Sequence, residues 1–176
     1  ELRGYRESEI RFQTQSGELQ VRRRGDLIEM DFPSRPAEPV EPPDNIEGIL
    51  GCTVKKAMRS RDLMVLLDSE DDVRHLTPDF AALAELPDFG VIVTAAGSTC
   101  DFVSRFFAPR AGIPEDPVTG SSHCTLVPFW SKALGKRELR ALQLSERGGE
   151  LFCEDRGERV GIAGYATTYL TGSLTV

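Results

Sequence analysis

Histidine is scarce in this sequence. His75 and His123 are the only two, too few for a histidine-rich metal centre. The four cysteines, Cys52, Cys100, Cys124 and Cys153, stand far apart, with no CxxC pair and no zinc-ligand spacing. Reduced, mostly buried thiols are expected, and with them a cytoplasmic protein. No stretch is apolar for long enough to cross a bilayer, so a membrane partner is not expected. Positive charge is also short: 21 Lys and Arg against 28 Asp and Glu leave a net charge of −7. Such a surface repels phosphate backbones and argues against nucleic acid. The one basic run, Arg22-Arg23-Arg24, abuts Gly25-Asp26 and reads as the exposed end of a hairpin. There is no initiator Met and no signal-like segment in the opening Glu1-Leu2-Arg3-Gly4.

What is present is enough apolar residue, 40% of 176, for one sizeable core or for one domain plus part of another. The first third reads as strands. Residues 9–14 place Ile10 and Phe12 on one face, 19–23 alternate again, and 27–32 place Ile28, Met30 and Phe32 together. Five prolines within 33–43 predict an extended, irregular connection. Beyond it, Asp44 or Asn45 is placed to cap a short helix, 53–59 and 63–67 read as strands, and Ser69 caps an acidic helical turn. Thr77-Pro78 predicts another helix start, with Thr77 as cap. Strands are expected at 91–95 and 101–107, and a buried helix at 121–134, closed by Gly135 and kinked by Pro128. The tail reads as a meander of strands at 139–144, 151–154, 159–162 and 165–170, with a last one at 174–176. The fold class is α+β, mixed and antiparallel sheets wrapped around a central helix.

Chemistry concentrates in Gly112-Ile113-Pro114-Glu115-Asp116-Pro117-Val118-Thr119-Gly120-Ser121-Ser122-His123. An acid-bearing loop runs into small residues that open a helix. The first N–H groups of a helix have no intrahelical acceptor and carry positive partial charge, which suits a substrate carboxylate. Asp116 stands just ahead, placed to exchange protons with whatever binds there. Thr119, Gly120 and Ser122 are the candidate carboxylate-binding residues; Asp116 and Ser121 are the candidate catalytic ones. The same letters also suit an ordinary loop-to-helix junction capped by Ser121. A hydrolase triad of Asp116, Ser121 and His123 is disfavoured, since Ser121 and His123 lie two apart on one helix and GxSxG is absent. Arg105 is a further candidate partner for a carboxylate, but an arginine on a strand is more often solvated or ion-paired, so it stays outside the set.

The stretch SRFFAPRAGIPEDPVTGSSHCTLVPFW, residues 104–130, resembles the signature of the PhzF (phenazine-biosynthesis) family. IRFQTQSGELQV at 10–21, LTPDF at 76–80, GVIVTA at 90–95, QLSERGG at 143–149 and VGIAG at 160–164 extend the resemblance over essentially the whole chain. The resemblance implies a diaminopimelate-epimerase-like fold of two similar domains with the active site between them. It implies a cofactor-independent isomerase that moves a proton at carbon, the named member acting on trans-2,3-dihydro-3-hydroxyanthranilate. Asp116 and Ser121 then match the family's active-site aspartate and serine, and Thr119 and Gly120 its carboxylate-binding loop. Epimerases of the wider fold carry a cysteine near the position of Asp116, so two-cysteine racemase chemistry is not implied.

The family's principal acid/base is a glutamate in a Ser-Glu-Thr-like segment, joined by a histidine in a Gly-His-Ala-Thr-like segment. Neither segment occurs here, and both precede the first matching one. The expected organisation is 1–32 as the remainder of an N-terminal domain, 33–43 as connection, and 44–176 as a C-terminal domain with the active-site loop at 112–123. Little isomerase activity is expected of the 176 residues alone. The competing reading is a non-catalytic carboxylate-binding or interaction module. Apolar faces left uncovered by the absent part predict a homodimer.

Overall fold

The structure is a computed structural model that describes residues 9–14 and 17–173. Alternating apolar residues build the strands β1 (Glu9–Thr14), β2 (Gly17–Arg24) and β3 (Leu27–Pro33), and they pair antiparallel in sequence order, as expected. The proline segment corrects the expectation of irregular chain: it contains a short strand, β4 (Glu38–Val40), which pairs with β5 (Lys56–Arg59). Proline is tolerated there because β4 is an edge strand with one side unpaired. Helix α1 (Ile46–Leu50) follows, then β6 (Leu63–Leu66) and α2 (Glu70–His75). Ser69 and Asp72 close a reciprocal capping box on α2. At α3 (Phe80–Ala84) the cap is Asp79 rather than Thr77, its carboxylate accepting from the N–H groups of Ala81 and Ala82. A carboxylate is the stronger acceptor, and Asp79 stands one residue before the helix.

Strands β7 (Val91–Ala96) and β8 (Phe102–Phe107), a 3₁₀ turn at Pro109–Ala111, and the long helix α4 (Gly120–Leu134) lead to β9 (Glu138–Gln143), β10 (Gly149–Asp155) and β11 (Arg159–Tyr165). The meander ends sooner than its pattern predicts. Residues 166–173 form no strand, and the expected strand at 174–176 lies outside the described residues.

One sheet runs β1-β2-β3-β11-β10-β9-β8-β7-β6-β5-β4, antiparallel except at β6–β7 and β8–β9. β3 and β11 pair over seven residues, so 27–33 and 159–165 belong to the same sheet. Alternation sends side chains to two cores. Val65, Val93 and Val103 pack with Leu50, Val73 and Leu83 of the short helices. Their neighbours Met64, Ile92 and Phe102 pack with Leu126, Val127 and Trp130 of α4, as do Leu139, Leu151 and Ile162. The sheet thereby curls around α4, the arrangement the pattern predicts. Pro128 gives α4 no N–H to donate to the carbonyl of Cys124, and that carbonyl accepts instead from the N–H of Arg35 at 2.9 Å.

Among the described residues, no helix is long and apolar enough to cross a membrane. No group of three or more His, Cys, Asp or Glu there is arranged to hold a metal ion.

Candidate active site

The loop between β8 and α4 is pinned at several points. The N–H of Asp116 donates to the carbonyl of Phe106 at 3.0 Å. Its neighbour Glu115 is held by Arg105 through two bonds of 2.7 and 2.9 Å, and Arg105 also donates to the carbonyl of Leu76 at 2.6 Å. Arg105 is thus spent on loop and helix α2, as a strand arginine is expected to be.

A residue that spacing did not single out organises the loop. Gln143, at the end of β9, is almost fully buried. Its side-chain oxygen accepts from the N–H of Thr119 at 2.9 Å, and its amide nitrogen donates to the carbonyl of Asp116 at 2.7 Å and to the Thr119 hydroxyl at 3.1 Å. The hydroxyl of Thr119 then donates to Asp116 Oδ2 at 2.5 Å. A short bond to an ionised acceptor is the strong kind. The signal for Gln143 was present in the sequence: it follows Leu139 and Ala141 on the inward face of a strand, where an amide needs partners.

Because Thr119 spends its hydroxyl on Asp116, it does not cap α4. Thr119, not Ser121, is the N-cap residue, and it makes no side-chain cap bond. Among the described residues, the opening N–H groups of this fifteen-residue helix have no side-chain acceptor. Asp116 Oδ1 likewise has no hydrogen-bond partner among the described residues.

Gly120 lines a cavity of about 660 Å³ between the first turn of α4 and the strands β3, β10 and β11, with Ile28, Met30, Val118 and Ile162 in its walls. A Cβ at Gly120 would meet only Phe32, at 3.6 Å. Nothing among the described residues therefore demands glycine there, whereas at Gly149 a Cβ would collide with Val118 at 2.3 Å. Of the other candidates, Thr119 and Ser122 are buried, and the Ser122 hydroxyl donates to the Thr119 carbonyl at 2.9 Å. Ser121 is half-buried and accepts from Arg61 Nη2 at 3.1 Å. The same nitrogen holds the buried carboxylate of Asp62 at 3.0 Å, and Arg61 lies over the ring of Phe89. Burial pushes the Asp62 carboxyl up, and Arg61 beside it pulls the other way.

His123 packs locally, as expected. Its Nδ1 faces the Thr119 carbonyl at 2.7 Å, and its Nε2 is buried without a partner. It bonds to neither Asp116 nor Ser121, so no triad is assembled. The cysteines are all free; burial raises the Cys124 thiol and drives that of Cys153 up to about 12. A thiol so raised is not a nucleophile at neutral pH.

The α+β architecture is epimerase-like, and known proteins share it. The chain belongs to the PhzC-PhzF family of phenazine biosynthesis-like proteins, which matches residues 1–172. Two relatives from Pseudomonas aeruginosa, each named an uncharacterized isomerase, are 48% and 49% identical and are matched over 94% of this chain. The chain spans 64% of the length of each of these relatives. A phenazine biosynthesis-like domain-containing protein of Mus musculus is 40% identical over 96% of this chain and 66% of its own. A PhzF-family crystal structure from Enterococcus faecalis superposes with a TM-score of 0.92 at 41% identity, over 97% of this chain and 66% of that one. A predicted epimerase of Pseudomonas aeruginosa shares the fold at a TM-score of 0.60 and 16% identity, over 97% and 70% of the two chains.

Proposed function

We propose that this chain is part of a cofactor-independent isomerase acting on a small carboxylate-bearing metabolite, with Asp116 as the proton-handling group that it supplies. The observation that carries the reading is the pairing of Thr119 with Asp116. One carboxylate oxygen is fixed at 2.5 Å while the other has no partner among the described residues, beside a helix start whose N-cap residue makes no side-chain cap bond. A substrate carboxylate would take the N–H groups of Gly120, Ser121 and Ser122. Burial of the Ser122 side chain means that residue would bind through its backbone N–H, while Thr119, whose N–H is already given to Gln143, would hold Asp116 in place; the Ser121 hydroxyl, held by Arg61, would be the one side-chain donor.

In the reaction, a carboxylate takes a proton from carbon and the electron pair of the broken C–H bond delocalises into the conjugated system. A proton returned at a second carbon completes the isomerisation, with no net oxidation. Asp116 is one such group. By the family resemblance its counterpart is a glutamate, assisted by a histidine, in a segment that these 176 residues do not contain. The chain alone therefore has little activity, since an acid/base pair works through a closed, water-excluding cleft. The exposed apolar residues Ile10 and Phe12 of β1 and Ile28 of β3 support a homodimer.

The test is deuterium uptake from D₂O into trans-2,3-dihydro-3-hydroxyanthranilate, followed by mass spectrometry. Uptake at background is expected for the 176 residues. In the chain extended to the length of its relatives, Asp116→Asn is expected to lower exchange by roughly 10²-fold or more. An extended Asp116→Asn protein as active as its parent would sink the reading.

A further inference from the structure

A second cavity lies away from the candidate active site, where the curled sheet leaves the outer flank of α4 uncovered. It measures about 750 Å³ and is bounded by the edge strand β4, by β5 and by the second half of α4. Its apolar wall comes from Val40, Pro42, Met58, Phe129 and Trp130. That wall is firmly built. The indole N–H of Trp130 donates to the buried Thr94 hydroxyl at 3.0 Å, and the ring stacks on Phe102 at 5.7 Å and meets Phe129 edge-on at 5.2 Å.

The polar part of the lining is of one sign. Lys55, Lys56 and Lys132 stand at the rim and, among the described residues lining the groove, no carboxylate does, in a chain whose net charge is −7. Lys55 is paired with Asp68 at 2.6 Å, in a smaller adjoining hollow. Lys56 and Lys132 make no ion pair among the described residues. Leaving two ammonium groups unpaired above an apolar floor, on an otherwise acidic protein, is the arrangement that retains an amphipathic anion. The volume falls in the range of small-molecule sites. A peptide added as a further strand fits poorly, because β4 is only three residues long and Pro39 removes one of its donors.

We propose that this groove binds a small amphipathic carboxylate, a medium-chain fatty acid or a compound of that shape, with the chain against Trp130 and Phe129 and the carboxylate between Lys56 and Lys132. The site shares no residue with the cavity at Gly120 and does not depend on the isomerase reading.

Trp130 is the only tryptophan in the sequence, so its emission reports on the groove directly. The experiment titrates the chain with decanoate and, in parallel, with decyltrimethylammonium, which has the same tail and the opposite charge. Decanoate is expected to change Trp130 emission saturably, and the cation to bind roughly tenfold more weakly or less. Lys56→Glu with Lys132→Glu should weaken decanoate by a similar factor, roughly tenfold. Ala133→Phe, at an exposed lining position on α4, should block the groove while melting as the parent does. Three results would overturn the proposal: no saturable change, equal affinity for cation and anion, or indifference to the lysine reversals in variants that keep the parent melting temperature. Decanoate affinity that falls as protein concentration rises would assign the groove to a second copy of the chain, and would overturn it too.

Discussion

Burial holds the imidazole of His123 neutral, pulling its pKa down from 6.5 to about 4 against a smaller upward pull from its bond to the Thr119 carbonyl. A second proton would have to sit on Nε2, which is buried and has no acceptor. Between these two values the unfolded chain binds a proton that the folded chain does not. The stability present above pH 6.5 is therefore lost as the pH falls towards 4, by at most about 3 kcal/mol. Urea unfolding of the parent and of His123→Phe across pH 7 to 4 checks this, and the parent should lose more. Parallel curves would remove His123 from the account. The residues legible in sequence were those whose meaning is local. Asp116 and Gly120 stand in a run of small and acidic residues that announces a loop before a helix. Gln143 and Arg61 meet the loop from 24 and 60 residues away; alternation marks Gln143 as an inward amide, but spacing along the chain does not show what either side chain meets.

Element by element, strands and the long helix followed from alternation and from the small residues that open α4, and their ends followed less well. Edge position, not composition, decides that Glu38–Val40 is a strand within a proline-rich stretch. Past Tyr165 the described chain forms no strand, although its pattern predicts one as far as 170. Pro128 is the clearest case of an element depending on another. The carbonyl it leaves unmatched is taken by Arg35, which ties the segment after β3 to the middle of α4. Hydrogen exchange should find the Arg35 amide slower than that of Ala37, which has no such backbone acceptor among the described residues, by roughly tenfold or more. Equal rates at the two amides would show that the tie opens freely.

Across the whole molecule, the two sides of the β1–β3 ribbon differ in kind. One carries Glu29 and Asp31, held by Arg22, Arg156 and Arg159. Burial raises the carboxyl of Glu29, but Arg156 and Arg22 more than offset it, and the group titrates below the ordinary range. The other side carries Ile10, Phe12 and Ile28, each more than a third exposed. Association through that apolar side should appear in sedimentation velocity as a dimer, and Phe12→Lys should return a monomer. A parent that sediments as a monomer at working concentration would count against it. The alternation of Ile10, Phe12, Ile28 and Met30 displayed this two-sidedness in advance, but the partner of β3 was hidden, because β11 lies more than 120 residues further on. That separation bears on synthesis. At ribosomal speeds of about 5–20 residues per second, β3 leaves the ribosome roughly 6–25 s before its neighbour exists. Throughout that interval the nascent chain presents an unmatched strand edge, and the wall of the cavity at Gly120 can be completed only once β11 has emerged.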